Sequence, residues 1–264
     1  MEVHHHSHHH EPDGPDTHNH GNKRGRRKWT HYFWEFIMLF FAVTLGFLVE
    51  NQREHYVEHQ RATVYAINLY EELKKDTSQL NAMITNLRFT SQKLDTFCRY
   101  VKGKEKQAPS NGMLYYYSSY VTTVEYFSSN NTTVEQLKGS GNLRIMGNAL
   151  AYKISEYDKK LRDLDKEYSL SKSEFSKMED LHFRIFDMYT SEIMLAGPRT
   201  KPRDSVFALT ELPINRDPEL MQQYTGWLKF ESNIYIFQMV RYLTPLKELA
   251  TDLLAILKKE YHLK

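Results

Sequence analysis

The sequence predicts an all-α protein in which one transmembrane helix continues into an extracytoplasmic antiparallel helical bundle. Three observations carry that reading. An uncharged apolar run, FIMLFFAVTLGFLV from Phe36 to Val49, extends back through Phe33 and Trp34 to Trp29. Beyond it, apolar residues recur at three-to-four- and seven-residue intervals, the pattern of helices with one buried face. Only 11 Gly and 8 Pro punctuate 264 residues, too few breakers for a many-turned sheet protein.

Residues 29–49 form the expected transmembrane helix. At about 1.5 Å per residue, some twenty residues cross a hydrocarbon core of roughly 30 Å. Trp29, Tyr32 and Trp34 cluster at one end, as amphipathic rings do at the lipid–water boundary. Glu35 interrupts the run within about a turn of its start, where its carboxylate reaches the headgroup layer. A cleavable signal peptide would need a short basic start and a small-residue cleavage site. Here a long polar tail comes first, and Phe47-Leu48-Val49-Glu50 offers no such site.

Charge gives the helix a direction. Lys23, Arg24, Arg26, Arg27 and Lys28 precede it, whereas Glu50, Glu54 and Glu58 follow it against Arg53 and Arg61. Basic flanks stay in the cytoplasm, so the N-terminus is expected there. Residues 50–264 are then expected in the periplasm of a bacterial cell with an inner membrane. Ala42 and Gly46 are spaced to let two such helices pack closely, but the pair is read as single lipid-facing residues.

Residues 1–28 read as a disordered, His-rich and basic cytoplasmic tail. HHHSHHH and EPDGPDTHNHG hold too little apolar surface to bury a core. The neutral imidazoles of His4, His5, His6, His8, His9 and His10 would bind zinc or nickel loosely, so metal capture is one reading and a solvated tail the other. No other cofactor is expected. The balance of 35 basic against 33 acidic residues disfavours a general nucleic-acid binder. Cys98, the sole cysteine, excludes an intramolecular disulfide framework and is expected to fill core space.

Residues 50–264 read as the helical-bundle domain. No Gly or Pro occurs from Glu50 to Val101, so the anchor helix is expected to run on. Ala66, Leu73, Leu80, Leu87, Leu94 and Val101 recur every seven residues, with Leu69, Met83, Ile84, Phe97 and Cys98 at offset positions. Asp76, Thr77, Thr90 and Ser91 are too polar for a long isolated coiled coil, which favours packing inside a bundle.

Lys102 to Gly112 reads as a turn-rich linker. The following LYYYSSYVTTVEYF favours a strand by propensity, yet Leu114, Tyr117, Val121 and Val124 fall at helical spacing and predict a helix. Thr132 and Glu135 form a capping-box pattern for a short helix stopped by Gly139, and Gly141-Asn142 starts another ending near Gly147. Leu150, Ile154, Tyr157, Leu161, Leu164 and Tyr168 begin a long helix continuing through Phe175, Met178, Leu181 and Ile185 to about Leu195. Residues 196–218, with Pro198, Pro202, Pro213 and Pro218, read as a long loop that is mobile or functional. The last helix, about Glu219 to Tyr261, shows Ile234, Phe237, Val240, Leu243, Leu246, Leu249, Leu253 and Ile256 along one side, with a kink at Pro245. Three long amphipathic helices and the aromatic one bury these stripes as an up-and-down bundle.

Chemistry-bearing patterns are sparse. His55-Tyr56-Val57-Glu58-His59 matches H-x-x-E-H, in which His55 and His59 would hold zinc and Glu58 would activate water as the catalytic base. With no third ligand in view, a polar turn of helix explains the same residues. The aromatic segment from Tyr115 to Phe127 suits a peptide or glycan groove, or a bundle core. Asn130-Asn131-Thr132-Thr133 contains overlapping glycosylation sequons, which matter only in a eukaryotic secretory pathway. No Walker loop, dinucleotide fingerprint or serine elbow occurs. The expected function is therefore a non-enzymatic, membrane-anchored interaction or sensory module. Its expected partners are the lipid bilayer and another envelope protein or a second copy of itself.

At WEFIMLFFAVTLGFLVENQREHYVEHQR, running into LYEELKKDT, the chain resembles an uncharacterised family of single-pass Bacteroidota proteins that often carry a His-rich or basic start. TTVEQLKGSGNLRIM, followed by ISEYDKKL, looks like a further signature of related domains of unknown function. The resemblance covers the anchor and about a third of the remaining domain. It implies an inner-membrane protein with a helical extracytoplasmic domain, and no assigned activity.

Overall fold

The computed structural model describes residues 24–121, 126–196 and 202–263, and contacts divide the chain into two compact units, Met1–Val57 and Glu58–Lys264. The described residues are helical, with no strand among them beyond an isolated antiparallel bridge between Phe186 and Ile214. An unbroken helix α1, Arg24–Val101, contributes to both units.

In the first unit, α1 exposes Trp29, Phe36, Phe40, Leu45 and Val49 around its circumference. Among the described residues, α1 alone is long and apolar enough to cross a membrane, and none of its apolar stretch is buried in protein. Glu35 pairs with His31, one turn earlier, at 3.1 Å. The His-rich tail of residues 1–22, with Lys23, lies outside the described residues.

The second unit is built on the later part of α1, on α4 (Asn148–Ile185), and on α7 (Pro218–Gln238) with α8 (Thr244–Glu260). Shorter elements are α2 (Asn111–Ser118), α3 (Thr132–Gly139), a 3-10 turn (Asn142–Met146), α5 (Met188–Ala196) and α6 (Arg203–Phe207). A π-helical turn, Met239–Leu243, joins α7 to α8.

Side-chain pairs fix the helix directions. Asp76 meets Tyr157, Met83 meets Tyr168 and Phe97 meets Phe186, so α1 and α4 run parallel. Asn81 meets Lys247, Ser91 meets Ser232 and Cys98 meets Thr225, so the α7–α8 limb runs antiparallel to α1. Residues 102–147 carry the chain back along α1 before α4 begins, so the limbs alternate in direction as in the expected up-and-down order, in which the first and third limbs run parallel. The returning limb is built of short helices and turns instead of one aromatic helix. Tyr120 lies on Phe89, Asn130 on Asp76 and Asn142 on Tyr65.

The core follows the expected stripes. Ala66, Leu73, Leu80, Leu87 and Leu94 of α1 are buried, as are Leu150, Ile154, Tyr157, Leu161, Leu164, Met178, Leu181 and Ile185 of α4. A fully buried leucine contributes about 1.5–3 kcal/mol relative to exposure. The polar interruptions Asp76 and Ser91 of the α1 stripe are buried too, and each finds a partner. The Ser91 and Ser232 hydroxyls share a hydrogen bond of 2.8 Å. Asp76 accepts from the Asn130 backbone N–H at 2.9 Å, Asn130 Nδ2 at 3.0 Å, Tyr157 Oη at 2.7 Å and Ser129 Oγ.

Several elements depart from expectation for local reasons. The aromatic helix ends at Ser118, where the Ser118 and Ser119 hydroxyls turn back onto the carbonyls of Tyr115 and Tyr116. Its start lies at Asn111, inside the expected linker, because Ser110 Oγ caps it by accepting the Met113 N–H at 3.1 Å. Val124 lies outside the described residues. α3 has the expected bounds but not the expected cap. Glu72, reaching from α1, accepts the Thr133 N–H at 3.1 Å and its hydroxyl at 2.9 Å.

α4 stops at Ile185 instead of running to about Leu195. Phe186 is extended, and the Ile185 carbonyl accepts the Asn215 N–H at 2.8 Å. Asp187 then accepts the Thr190 N–H at 2.7 Å and opens α5. Residues 202–217 are docked instead of loose: Ser110 Oγ donates to Phe207 O and the Gly112 N–H donates to Leu209 O. A Cβ on Gly112 would lie 2.0 Å from Val206 O, so only glycine permits this approach. Pro198 lies outside the described residues. Asp217 caps α7, with Pro218 in its first turn. At the expected kink, Pro245 supplies no N–H and its ring crowds the carbonyl four residues earlier, so the ladder widens into the π turn.

Candidate interaction surface

α7 mixes polar and apolar side chains on both faces. Thr225, Glu231, Ser232 and Gln238 are buried alongside Met221, Tyr224, Leu228 and Tyr235, while Phe230, Ile236 and Phe237, with Val240 of the π turn, are exposed. The expected stripe survives from Leu243 onward, since Leu243, Leu246, Leu249 and Leu253 are buried and Ile256 packs on the core. It fails at Phe237, 47% exposed, and at Val240, 70% exposed. An apolar stripe stepped by three residues drifts off the buried face. That face follows the helical period through Leu228, Ser232, Tyr235, Met239 and Leu243.

The π turn sets Val240, Arg241 and Tyr242 against α4. With Pro245 they face Lys160, Asp163, Lys166, Glu167 and Leu170 across an open groove of about 590 Å³. Leu170 is 69% exposed. Tyr242 donates its hydroxyl to Glu167 Oε2 at 3.4 Å and meets the Phe237 ring edge-on at 5.9 Å. Desolvation and the Glu167 carboxylate push the Tyr242 phenol up, which keeps it a donor. Among the described residues the ion pairs of α4 involve Lys153, Asp158, Arg162, Asp180 and Arg184, and not Lys160, Asp163 or Lys166. On a neighbouring face, by contrast, Lys138 and Arg162 both grip Asp158, and against the upward push of its burial they hold its carboxyl below the usual range.

The other candidate residues are placed as follows. In the first unit, His55 is exposed. In the second, His59 is exposed, and Glu58 pairs with Arg144 at 2.5 Å. Among the described residues no group of three or more His, Cys, Asp or Glu side chains is arranged to hold a metal ion. His4, His5, His6, His8, His9 and His10 lie outside them.

The aromatic segment serves as core. Tyr115, Tyr116, Tyr117, Val121 and Phe127 are buried. Four rings surround one ammonium: Lys93 Nζ lies 4.6 Å from the Phe89 centroid, 5.7 Å from Tyr116 and 5.8 Å from both Tyr117 and Tyr120. Cys98 is buried, as expected of core filler, and burial pushes its thiol up to about 11.

Two buried titratable groups are not evident from the sequence. His182 stacks on Phe186 at 4.9 Å and shares a 2.8 Å hydrogen bond with Tyr224 Oη, and burial pushes its imidazole down to about 4. Burial pushes the Glu231 carboxyl up to about 7. His182 follows Leu181 on the core side of α4, so its place in the stripe is the signal that could reveal it. No family model, no curated protein and no solved structure matches the chain.

Proposed function

We propose that this chain is a membrane-anchored, non-enzymatic interaction module of a bacterial inner membrane, with its N-terminus cytoplasmic and its second unit a periplasmic helical bundle. The anchor reading is supported by the apolar stretch of α1, which no protein surface covers, and by the basic residues before it. The binding reading is carried by one observation. α7 buries polar residues while Phe230, Ile236 and Phe237, with Val240 of the π turn that follows, stay in water. Phe230, Ile236 and Phe237 are each about half exposed, so each forgoes roughly half of the 1.5–3 kcal/mol that full burial supplies, and clustered exposed apolar residues mark sites where a partner binds.

The test is site-specific photo-cross-linking in cells. A photoreactive residue at Val240 or Leu170 of the full-length chain should give a discrete protein adduct, and one at the equally exposed Tyr152 of α4 should not. Equal yields at all three positions would end the reading. Topology is checked separately by a reporter fused after Lys264, expected to be active only if it works in the periplasm.

A further inference from the structure

We infer that a second copy of this chain packs along the exposed face of α7, the two α7 helices lying parallel and in register about a shared two-fold axis. This rests on the reading of that face as an interaction surface and of α1 as an anchor. Gly226, Phe230, Asn233 and Phe237 step along α7 at intervals of four, three and four, and all are exposed. Such a 4-3-4 row is the seam that one helix offers to another. Trp227 and Ile234 border it on one side and Ile236 on the other, so its margins are apolar too.

The make-up of this face selects a copy of the chain as its occupant. A two-fold axis running along a pair of helices sets each seam residue against its own counterpart, so the seam must be free of charge. From Leu220 to Gln238 the charged side chains are Lys229, held by Asp95 of its own chain at 2.9 Å, and Glu231, which is buried. Glu219, one heptad before Gly226, marks the point where like charges part the two helices. Asn233, the polar side chain of the seam, carries both donor and acceptor and so pairs with its own counterpart. Gly226 weakens the helix that contains it, and nothing in its own chain calls for it, since a Cβ there meets open space. Close approach of a second helix accounts for it.

The anchor imposes the same geometry. Copies inserted in one orientation are related by an axis along the bilayer normal, which keeps one unbroken α1 parallel to the other. Because α7 runs antiparallel to α1 within each copy, the two α7 helices are parallel as well. Anchoring in one bilayer raises the effective concentration of copies, so a short seam is enough.

The experiment uses the full-length chain in native membranes, with Gly226→Cys and Asn233→Cys made separately and copper-phenanthroline added as oxidant. The two positions lie about 10.5 Å apart along α7. In the parallel arrangement each new thiol faces its counterpart, and both variants should form a disulfide-linked species of twice the chain's mass. Its yield should be about tenfold above that of the parent, whose Cys98 is buried, and of Tyr152→Cys on an exposed site of α4. Phe230→Glu with Phe237→Glu, added to the Asn233→Cys chain, should lower the yield about tenfold by setting like charges face to face. Unchanged helical circular dichroism of each purified variant excludes misfolding as the cause. A doubled species from only one of the two cysteine variants overturns the parallel register. A yield indifferent to the glutamates, or equal to that of Tyr152→Cys, overturns the seam. No doubled species from either variant overturns the second-copy inference. The interaction surface then stands if a photo-cross-linker at Val240 captures a different protein, and falls too if it captures nothing.

Discussion

Tyr157 of α4 donates its hydroxyl to Asp76 of α1 at 2.7 Å, and through that bond the two parallel helices share a carboxylate that is only 1% exposed. Asp76 also accepts from Ser129 and Asn130, tying the returning segment to the same point. Asp76→Ala strands these buried donors and should cost about 3–5 kcal/mol. Tyr157→Phe removes one bond to a charged group and should cost about 1.5–3 kcal/mol. Thermal melting of the detergent-solubilised chain measures both, and an Asp76→Ala chain melting with its parent would contradict the role given to this carboxylate.

Stability should depend on pH through two opposed groups. His182 titrates near 6.5 when unfolded and about 4 when folded, so between these values the unfolded chain binds more protons and stability falls as pH drops. The full effect is about 3 kcal/mol. Glu231, raised from 4.5 to about 7, acts in the other direction: the folded chain binds more protons there, and stability falls as pH rises. The slopes offset one another where the windows overlap. Glu231→Gln should leave a stability that climbs from pH 4 to 6.5, and His182→Gln one that declines from 4.5 to 7. Denaturation midpoints across this range test it, and two variants with the parent's profile would refute it.

Lys93 holds α2 and its neighbouring turn against α1 through ring faces. Lys93→Met keeps the stem, removes the charge, and should lower stability by about 1–2 kcal/mol. Lys93→Arg should retain most of it. A methionine variant as stable as the parent would show that packing alone closes this cluster.

The zinc readings have a direct measurement. A chain without residues 1–22 should hold less than one equivalent of zinc after dialysis, and His55→Ala or His59→Ala should not change that content. One tightly held zinc lost in His59→Ala would revive Glu58 as a catalytic base and break with its pairing to Arg144. Cells with and without residues 1–22 should differ in nickel or zinc tolerance if the tail captures metal, and equal tolerance removes that idea.

Helices and core faces are legible in the sequence wherever apolar residues alone mark the buried side, as from Ala66 to Leu94 and from Leu150 to Ile185. Legibility fails where polar residues are buried. Asp76 and Ser91 read as defects in a stripe, yet they are the points at which α1 recognises the returning segment and α7. On α7 the same blindness turns the face around, since Ser232 is fully buried and Val240, just beyond the helix, is not. The parallel order of α1 and α4 depends on where residues 102–147 are carried, and the donors that answer Asp76 and Glu72 lie more than fifty residues away in sequence. No local periodicity encodes that pairing. The groove therefore becomes visible only once the π turn and the α7 faces are placed.

The pairing of Ser91 with Ser232, 141 residues apart, also sets a timetable for synthesis. At ordinary elongation rates the α1 stripe leaves the ribosome roughly 7–30 s before the limb that covers it. Until Leu243, Leu246 and Leu253 arrive, that stripe has only the returning segment and α4 to shelter it. The C-terminal limb is thus the closing piece of the fold, and a nascent or truncated chain that lacks it presents an uncovered leucine row to chaperones and proteases.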